Sequence, residues 1–419
     1  MITNAPRGVE DWYKDRMYNR RYLENILREK ARTYNFEEII TPIFEHTVLF
    51  SRGVGETTDI VQKEMYTFTD KGGRSITLKP EGTAGAIRAF VENGLQEYPL
   101  PCKLFYIAPA FRYEKPQSGR LRQHHQFGVE MIGSSSPLAE IEVISLAYEC
   151  LKALGINKVT LNINNIGTYQ CRGEYNSALR EYLSGHKDKL CKVCRERMNK
   201  NPLRILDCKE EHCRDIVLNA PKIADFLDGE CNEHFITLKK LLQEYGIPFI
   251  QNDKLVRGLD YYTKTVFEFV DDTGLTVCGG GRYDNLVKEI DEKKDYPAVG
   301  FGMGLERLLE IIKRLDIELP KRLGPDMFIG HIGDDEPVLK GIKLAKELRE
   351  NGYVAEIDTM GRSVKAQMKY ADKIGARYAL ILGSHEVDDN IGAVKRMSTG
   401  QDIVSQLDID SLKEILNVG

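Results

Sequence analysis

A polar segment between Phe111 and Glu130 constrains the fold of this chain more than any other stretch. Two short runs with strand character flank a basic loop in this segment. Because side chains alternate between the faces of a strand, each run presents its polar residues on one surface. That surface suits a ligand with both negative and positive groups, although a solvated hairpin with ordinary surface charges is the alternative. Its residues are Arg112, Glu114, Gln126, Gly128 and Glu130.

Composition excludes several classes of protein. A length of 419 residues predicts two to three domains. Charged residues make up 29% and hydrophobic residues 42%, which is typical of soluble globular chains. The net charge of −4 means that any nucleic-acid contact must use a local basic patch. The sequence has no apolar run long enough for a membrane span and no signal-peptide core, so we expect a cytoplasmic protein.

The order of predicted elements divides the chain into two domains. Residues 1–320 mix helices with short strands and predict an α+β domain, which a charged, helical insertion interrupts at about 168–230. The basic middle of that insertion is either a solvated helical face or a contact for a polyanion. Residues 325–419 alternate strand and helix, which predicts a separate α/β domain.

Four of the nine cysteines are grouped within the predicted insertion. Cys191 and Cys194 have the spacing of zinc ligands, and thirteen residues separate them from Cys208 and Cys213. A four-cysteine zinc site is therefore sterically allowed. The alternative is a set of free thiols in a helical segment, and the sequence favours it because cysteine is common elsewhere in the chain. We accordingly predict no metal ligands from sequence.

Three arginines in separate motifs predict a polyphosphate site. The chain lacks a P-loop, and its glycine-rich segment Gly300–Gly304 lacks the Rossmann spacing. Arg307, however, follows that glycine segment at the start of a predicted helix, where amide donors and the helix dipole favour phosphate. Arg112 and Arg257 lie in other polar turns. Arginine suits such a clamp because it stays charged and offers a planar fork of donors.

These segments together resemble the three motifs of class II aminoacyl-tRNA synthetases. More narrowly, the chain resembles the histidyl-tRNA synthetase family along essentially its whole length. The class motifs correspond to Thr41–Ile43, Phe111–Glu130 and Gly300–Arg307, and two histidine-specific motifs correspond to Leu255–Tyr262 and Gly279–Tyr283. Residues 325–419, with Lys365–Asp372 and Leu380–Gly383, resemble the anticodon-binding domain of the family.

The resemblance implies a fold and an activity. The catalytic domain should hold a mostly antiparallel sheet flanked by helices, and the C-terminal domain a mixed sheet. The protein should be a homodimer that activates L-histidine with ATP and Mg²⁺ and transfers it to its cognate tRNA, without binding DNA or membranes. One alternative is a histidine-sensing regulatory paralogue of ATP-phosphoribosyltransferase. Such paralogues typically lack the anticodon domain and part of the arginine and histidine motifs.

The resemblance also implies roles for individual residues. In the ATP site, Arg112 and Arg257 would hold the α-phosphate, Arg307 the γ-phosphate and Glu114 the adenine, with Arg120 and His124 nearby. In the histidine site, Glu81, Thr83 and Gln126 would bind the amino group, Glu130 and Tyr262 the imidazole, and Arg257 and Tyr283 would complete the pocket. The catalytic group would comprise Arg257, Arg112, Glu81 and Gln126. Gln117 and Arg120 would contact the tRNA acceptor end.

His124 departs from the family pattern, which usually has phenylalanine at this position. The ring should stack on adenine, and histidine can do so. Because an unperturbed imidazole titrates near neutral pH, the sequence predicts weaker ATP binding below about pH 6.

Overall fold

The computed structural model describes residues 3–55, 58–116, 120–333 and 335–417. The chain forms two compact units, Met1–Leu319 and Pro320–Gly419. Among the described residues, no helix is both long enough and apolar enough to cross a membrane.

The strands, in chain order, are β1 Glu37–Glu38, β2 Phe44–His46, β3 Tyr66–Thr69, β4 Ser75–Leu78, β5 Cys102–Phe111, β6 Gln123–Ile132, β7 Val159–Asn165, β8 Phe249–Gln251, β9 Thr263–Asp271, β10 Thr276–Arg282, β11 Ala298–Gly304, β12 Met327–His331, β13 Ala355–Ile357, β14 Tyr378–Leu382, β15 Ile391–Arg396 and β16 Asp402–Gln406. The α-helices are α1 Lys14–Thr33, α2 Thr47–Val54, α3 Thr83–Glu92, α4 Pro137–Ala153, α5 Tyr169–Ser184, α6 Lys192–Lys200, α7 Glu211–Leu218, α8 Gly229–Tyr245, α9 Leu286–Ile290, α10 Leu305–Arg314, α11 Asp335–Glu350, α12 Val364–Lys373, α13 Ser384–Asp388 and α14 Ile409–Asn417.

The first unit is built on an eight-stranded sheet with the order β1-β5-β6-β11-β10-β9-β7-β8. Its inner strands pair antiparallel, and only the edge pairs β1 with β5 and β7 with β8 are parallel. The predicted mostly antiparallel sheet is therefore confirmed. A smaller sheet, β2-β4-β3, accompanies it.

Helices α1, α4, α8 and α10 bury one face of the large sheet. Helix α4 begins at Pro137, and the hydroxyl of Ser136 caps it by accepting a hydrogen bond from the Leu138 amide at 3.2 Å. Alternation along β6 sends Phe127 and Val129 into this core and turns their neighbours to the opposite face. The opposite face of the sheet is thus available for polar side chains.

The insertion is helical, as expected, and includes α5, α6 and α7. Its apolar side chains pack around Tyr175, Leu179 and Leu183 of α5. The same cluster contains Cys194 and Cys213, which come from α6 and α7. The same cluster also includes Tyr262 and Leu286, so the core of the insertion, in which the cysteines take part, is continuous with that of the catalytic domain.

The second unit contains a five-stranded sheet with the order β13-β12-β14-β15-β16. Strand β12 pairs parallel with β13 and β14, whereas β14, β15 and β16 pair antiparallel. Helices α11 and α14 contribute to one apolar cluster on this sheet and α12 to another. The predicted mixed sheet of the C-terminal domain is therefore confirmed.

Candidate active site

The open face of the large sheet forms the floor of a cavity of about 1080 Å³. Strand register aligns glycines across this floor: Gly128 pairs with Gly302 and Gly302 with Gly279, while Gly300 lies between Glu130 and Gly281. A Cβ atom on Gly302 would overlap the amide nitrogen of Gln126, and one on Gly279 would overlap the guanidinium of Arg257. The glycines therefore let long polar side chains lie flat across neighbouring strands.

Glu130 lies fully buried at the floor of the cavity. Its carboxylate accepts hydrogen bonds from the hydroxyls of Thr83 at 2.8 Å and Tyr106 at 3.0 Å, and also from Tyr283. Burial raises the pKa of Glu130 to about 8, even though these three hydroxyls lower it. A cationic or hydrogen-bond-donating ligand would favour its charged form.

Glu81 lies close to this carboxylate at the start of α3. It accepts hydrogen bonds from the backbone amides of Thr83 at 2.7 Å and Ala84 at 2.9 Å, and burial raises its pKa. Two carboxyl groups with raised pKa values therefore share one polar site, a combination that is common at functional positions. Tyr262 and Gln126 line the cavity with Glu81.

The three predicted phosphate-binding arginines all line the same cavity. Arg112 donates to the carbonyl oxygen of Pro80 at 2.8 Å, and Arg307 donates to the carbonyl oxygen of Thr276 at 2.5 Å. Arg257 forms an ion pair with Glu268 across Gly279. A carbonyl oxygen or a carboxylate thus orients each guanidinium, and a ligand in the cavity can still contact it.

Two buried polar atoms in this cavity have no hydrogen-bond partner among the described residues. They are Nε of Arg257 and Oε1 of Gln126. Buried polar atoms are rarely left unpaired, because desolvation without a partner costs about 1–3 kcal/mol. A ligand with groups that reach both side chains would remove that cost.

Glu114, Arg120 and His124 also line the cavity. Arg120 is half exposed, and its guanidinium lies 3.8 Å from the Glu114 carboxylate. Burial and the neighbouring Arg112 lower the pKa of His124 to about 3. The ring therefore stays neutral near physiological pH. The expected loss of ATP binding below about pH 6 used the pKa of a free imidazole, and with the lowered pKa we expect ATP binding to stay constant there.

The structure brings most of the predicted site residues together. The cavity is lined by Glu81, Thr83, Arg112, Glu114, Arg120, His124, Gln126, Arg257, Tyr262, Tyr283 and Arg307. Glu130 does not line it directly; the hydroxyls of Thr83 and Tyr283 lie between its carboxylate and the cavity. Gln117 lies outside the described residues.

Sequence reasoning missed several contributors to the site. Tyr106 bonds Glu130 and occupies the space above Gly128, so the glycine in a strand was its only sequence signal. Glu268 pairs with Arg257 from an adjacent strand. Arg282 is fully buried and pairs with Glu140 at 2.6 Å on the far side of the sheet, which anchors the strand end that carries Tyr283.

The family model of histidyl-tRNA synthetase matches residues 8–308, the part of the chain that forms this cavity. The chain belongs to the histidyl-tRNA synthetase family. A histidine–tRNA ligase from Clostridium perfringens is 51% identical over 419 residues and covers 100% of both chains. The structure of apo histidyl-tRNA synthetase from Staphylococcus aureus superposes with a TM-score of 0.83 at 37% identity, covering 99% of each chain.

The second unit has a family match of its own. Residues 331–418 match the family model of an anticodon binding domain. A Bacillus halodurans structure, described as an ATP phosphoribosyltransferase regulatory subunit/histidyl-tRNA synthetase, has a TM-score of 0.66 at 22% identity, covering 92% of this chain and 99% of the other. At that identity the likeness concerns the fold alone.

Proposed function

We propose that this protein is a histidine–tRNA ligase that forms histidyl-adenylate from L-histidine and ATP and then esterifies the 3′ end of its cognate tRNA. The observation that carries the proposal is one cavity lined by a trio of arginines and by Glu81, with the buried carboxyl group of Glu130 bonded to the lining residues Thr83 and Tyr283. A triphosphate needs the cations, and an amino acid with a basic ring needs the carboxylates.

Histidine binds with its ammonium group against Glu81, Thr83 and Gln126. Oε1 of Gln126, which is buried and unpaired among the described residues, supports this placement because an ammonium group offers three donors. The imidazole lies between Glu130 and Tyr262. The hydroxyls of Tyr283 and Thr83 donate hydrogen bonds to the buried Glu130 carboxylate and connect it to the ring. A ring without nitrogens would leave these buried groups unpaired, which costs affinity.

ATP enters as its magnesium complex and binds along the three arginines. Arg112 and Arg257 hold the α-phosphate, Arg307 holds the γ-phosphate, and Glu114, Arg120 and His124 surround the adenine end. A carboxylate oxygen of histidine attacks the α-phosphorus in line, and the bond to the bridging oxygen breaks with its electron pair leaving on pyrophosphate. The arginines offset the charge that develops, so this step needs no protein acid or base.

In the second step, the terminal ribose hydroxyl of tRNA attacks the carbonyl carbon of the adenylate, and the bond from that carbon to the phosphate oxygen breaks as AMP leaves. The hydroxyl proton is accepted by the phosphate of the departing AMP or by Glu81. Arg120 and Gln117 contact the acceptor end, and the half-exposed side chain of Arg120 supports that role. The C-terminal domain reads the anticodon, which its family match supports. The activity itself places the protein in the cytoplasm, where translation uses its product.

We also propose a homodimer that forms through the segment around Thr41–Ile43. Apolar side chains are exposed there in the single chain: Ile40 is 88% and Phe44 57% accessible. Exposed apolar side chains in such a group are typical of protein interfaces. Light scattering should give twice the chain mass, and Ile40→Glu should shift it toward the monomer.

The histidine-sensing alternative is not favoured, because the chain carries the anticodon-binding domain and all three arginines. ATP–pyrophosphate exchange with each amino acid in turn tests the choice. We expect exchange with histidine alone. Arg257→Ala should abolish exchange and leave histidine binding largely intact, while Arg32→Ala, which removes an exposed ion pair with Glu29, should have wild-type exchange. Exchange with another amino acid, or with none, contradicts the proposal.

A further inference from the structure

The four cysteines of the insertion converge on one point, although the sequence favoured free thiols. The sulfurs of Cys191, Cys194, Cys208 and Cys213 all lie within 4.8 Å of one another. The sulfurs of Cys191 and Cys208 are 4.0 Å apart, about twice the length of a disulfide bond. A tetrahedral zinc ion with bonds of about 2.3 Å holds its sulfurs roughly 3.8 Å apart. The spacing therefore matches a metal site and not a pair of disulfides.

The backbone around these cysteines is arranged to stabilise thiolates. Cys191 caps the N-terminus of α6, and its sulfur accepts from the amide of Cys194 at 3.4 Å. The sulfur of Cys213 accepts a hydrogen bond from the amide of Cys191 at 3.2 Å, which connects the two cysteine pairs. Amide donors and a helix N-terminus both favour negative sulfur.

The group is enclosed by protein. Cys194 and Cys213 are fully buried. Cys208 is 9% exposed, and His212, although adjacent in sequence, is exposed and outside the group. A bound divalent cation would hold all four sulfurs as thiolates, as four-cysteine zinc sites do.

We propose that Cys191, Cys194, Cys208 and Cys213 bind one structural zinc ion. Four protein ligands leave no open position, so the ion is structural and takes no part in the reaction. The described residues contain one other candidate group, Cys171, Asp228 and Cys231. It offers three ligands, and Asp228 already caps α8 by accepting from the Cys231 amide at 2.7 Å, so helix capping explains it.

The zinc closes a segment that reaches the active site. Residues 195–207 lie between the second and third ligands. Within that segment Arg204 donates to the carbonyl oxygen of Arg257 at 3.3 Å, and Asn201 donates to Asp260 at 2.8 Å. Arg197 pairs with Asp59 at 2.8 Å. The ion thereby secures the insertion against the turn that carries Arg257.

Metal analysis of the full-length protein, purified under reducing conditions without added metal or chelator, tests the site directly. We expect about one zinc per chain in the wild type and in Cys231→Ser, and a loss of at least about fivefold in Cys208→Ser. Cys208→His should retain the metal, because histidine can replace one cysteine in such sites. The measured zinc content does not depend on the catalytic proposal.

Two further measurements remain informative if Cys208→Ser fails to fold. The wild-type protein loaded with Co²⁺ should show the visible absorption of a tetrahedral thiolate site. Zinc removal should raise the KM for ATP in pyrophosphate exchange, and this last effect alone rests on the proposed function. A zinc-free wild type whose four thiols react freely in the folded state would overturn the proposal. So would iron in place of zinc, or loss of zinc from Cys231→Ser instead of Cys208→Ser.

Discussion

Gly302→Ala tests whether the glycine floor positions the side chains above it. The new methyl group would overlap the amide nitrogen of Gln126, which is the far end of a flexible side chain. Gln126 can therefore swing away at little cost to folding. We expect the free energy of unfolding to change by less than about 1 kcal/mol, since alanine is at least as favourable as glycine in a strand.

The effect on activity should be larger than the effect on stability. A hydrogen bond to a charged group is worth about 1.5–3 kcal/mol, so displacing Gln126 from the histidine ammonium should lower kcat/KM for histidine by roughly 10- to 100-fold. Pyrophosphate exchange at varied histidine concentration measures this loss, and urea unfolding measures stability on the same samples.

A double-mutant cycle separates this mechanism from general damage. If the methyl group of Gly302→Ala acts only through Gln126, the double variant with Gln126→Ala should match Gln126→Ala alone within about twofold. Additive losses in the double variant, or wild-type kcat/KM in Gly302→Ala, would refute the reasoning. Gly173→Ala, at an exposed helical position where a Cβ atom meets nothing within 4 Å, serves as the control for the substitution itself.

Three further predictions follow from the buried titratable groups. Because the pKa of His124 is lowered to about 3, the KM for ATP should vary less than about twofold between about pH 5.5 and 8, and a steep rise on the acid side would contradict this. The pKa of Glu130 is raised from 4.5 to about 8, so its carboxyl group lowers the free energy of unfolding progressively as pH rises through that window. Glu130→Gln should therefore gain stability relative to the wild type, by up to about 4 kcal/mol at pH 8. A stability difference that does not change with pH in urea unfolding would argue against this. Arg282→Met should cost about 3–5 kcal/mol by leaving Glu140 buried without its guanidinium, and adding Glu140→Leu should recover part of that loss in thermal unfolding.

Local pattern was sufficient for elements whose signal lies within one segment. The helical insertion follows from its change in composition, and the α/β domain of residues 325–419 follows from its alternation of strand and helix. Most of the site residues were predictable because the motifs that carry them are contiguous. The resemblance then assigned roles that the residues alone left open.

Contacts between distant segments could not be predicted in the same way. Tyr106 lies in an apolar strand, so sequence alone predicts a core residue. Only the register of β5 with β6 shows that it lies opposite Gly128. The environment of His124 depends on Arg112 and on burial, neither of which a sequence pattern provides. The cysteines likewise needed the fold of the insertion to show that four of the nine meet.

The glycine floor has a consequence for how the choice of amino acid could change. At the floor glycines the backbone carries no side chain of its own, and the side chains that lie directly on it are the functional ones, such as those of Gln126 and Arg257. Every replacement at Gly279, Gly300 or Gly302 adds atoms where a functional side chain already lies. Variants that accept another amino acid should therefore arise in the walls, above all in the turn of residues 255–262, and libraries that randomise the floor should return few active clones.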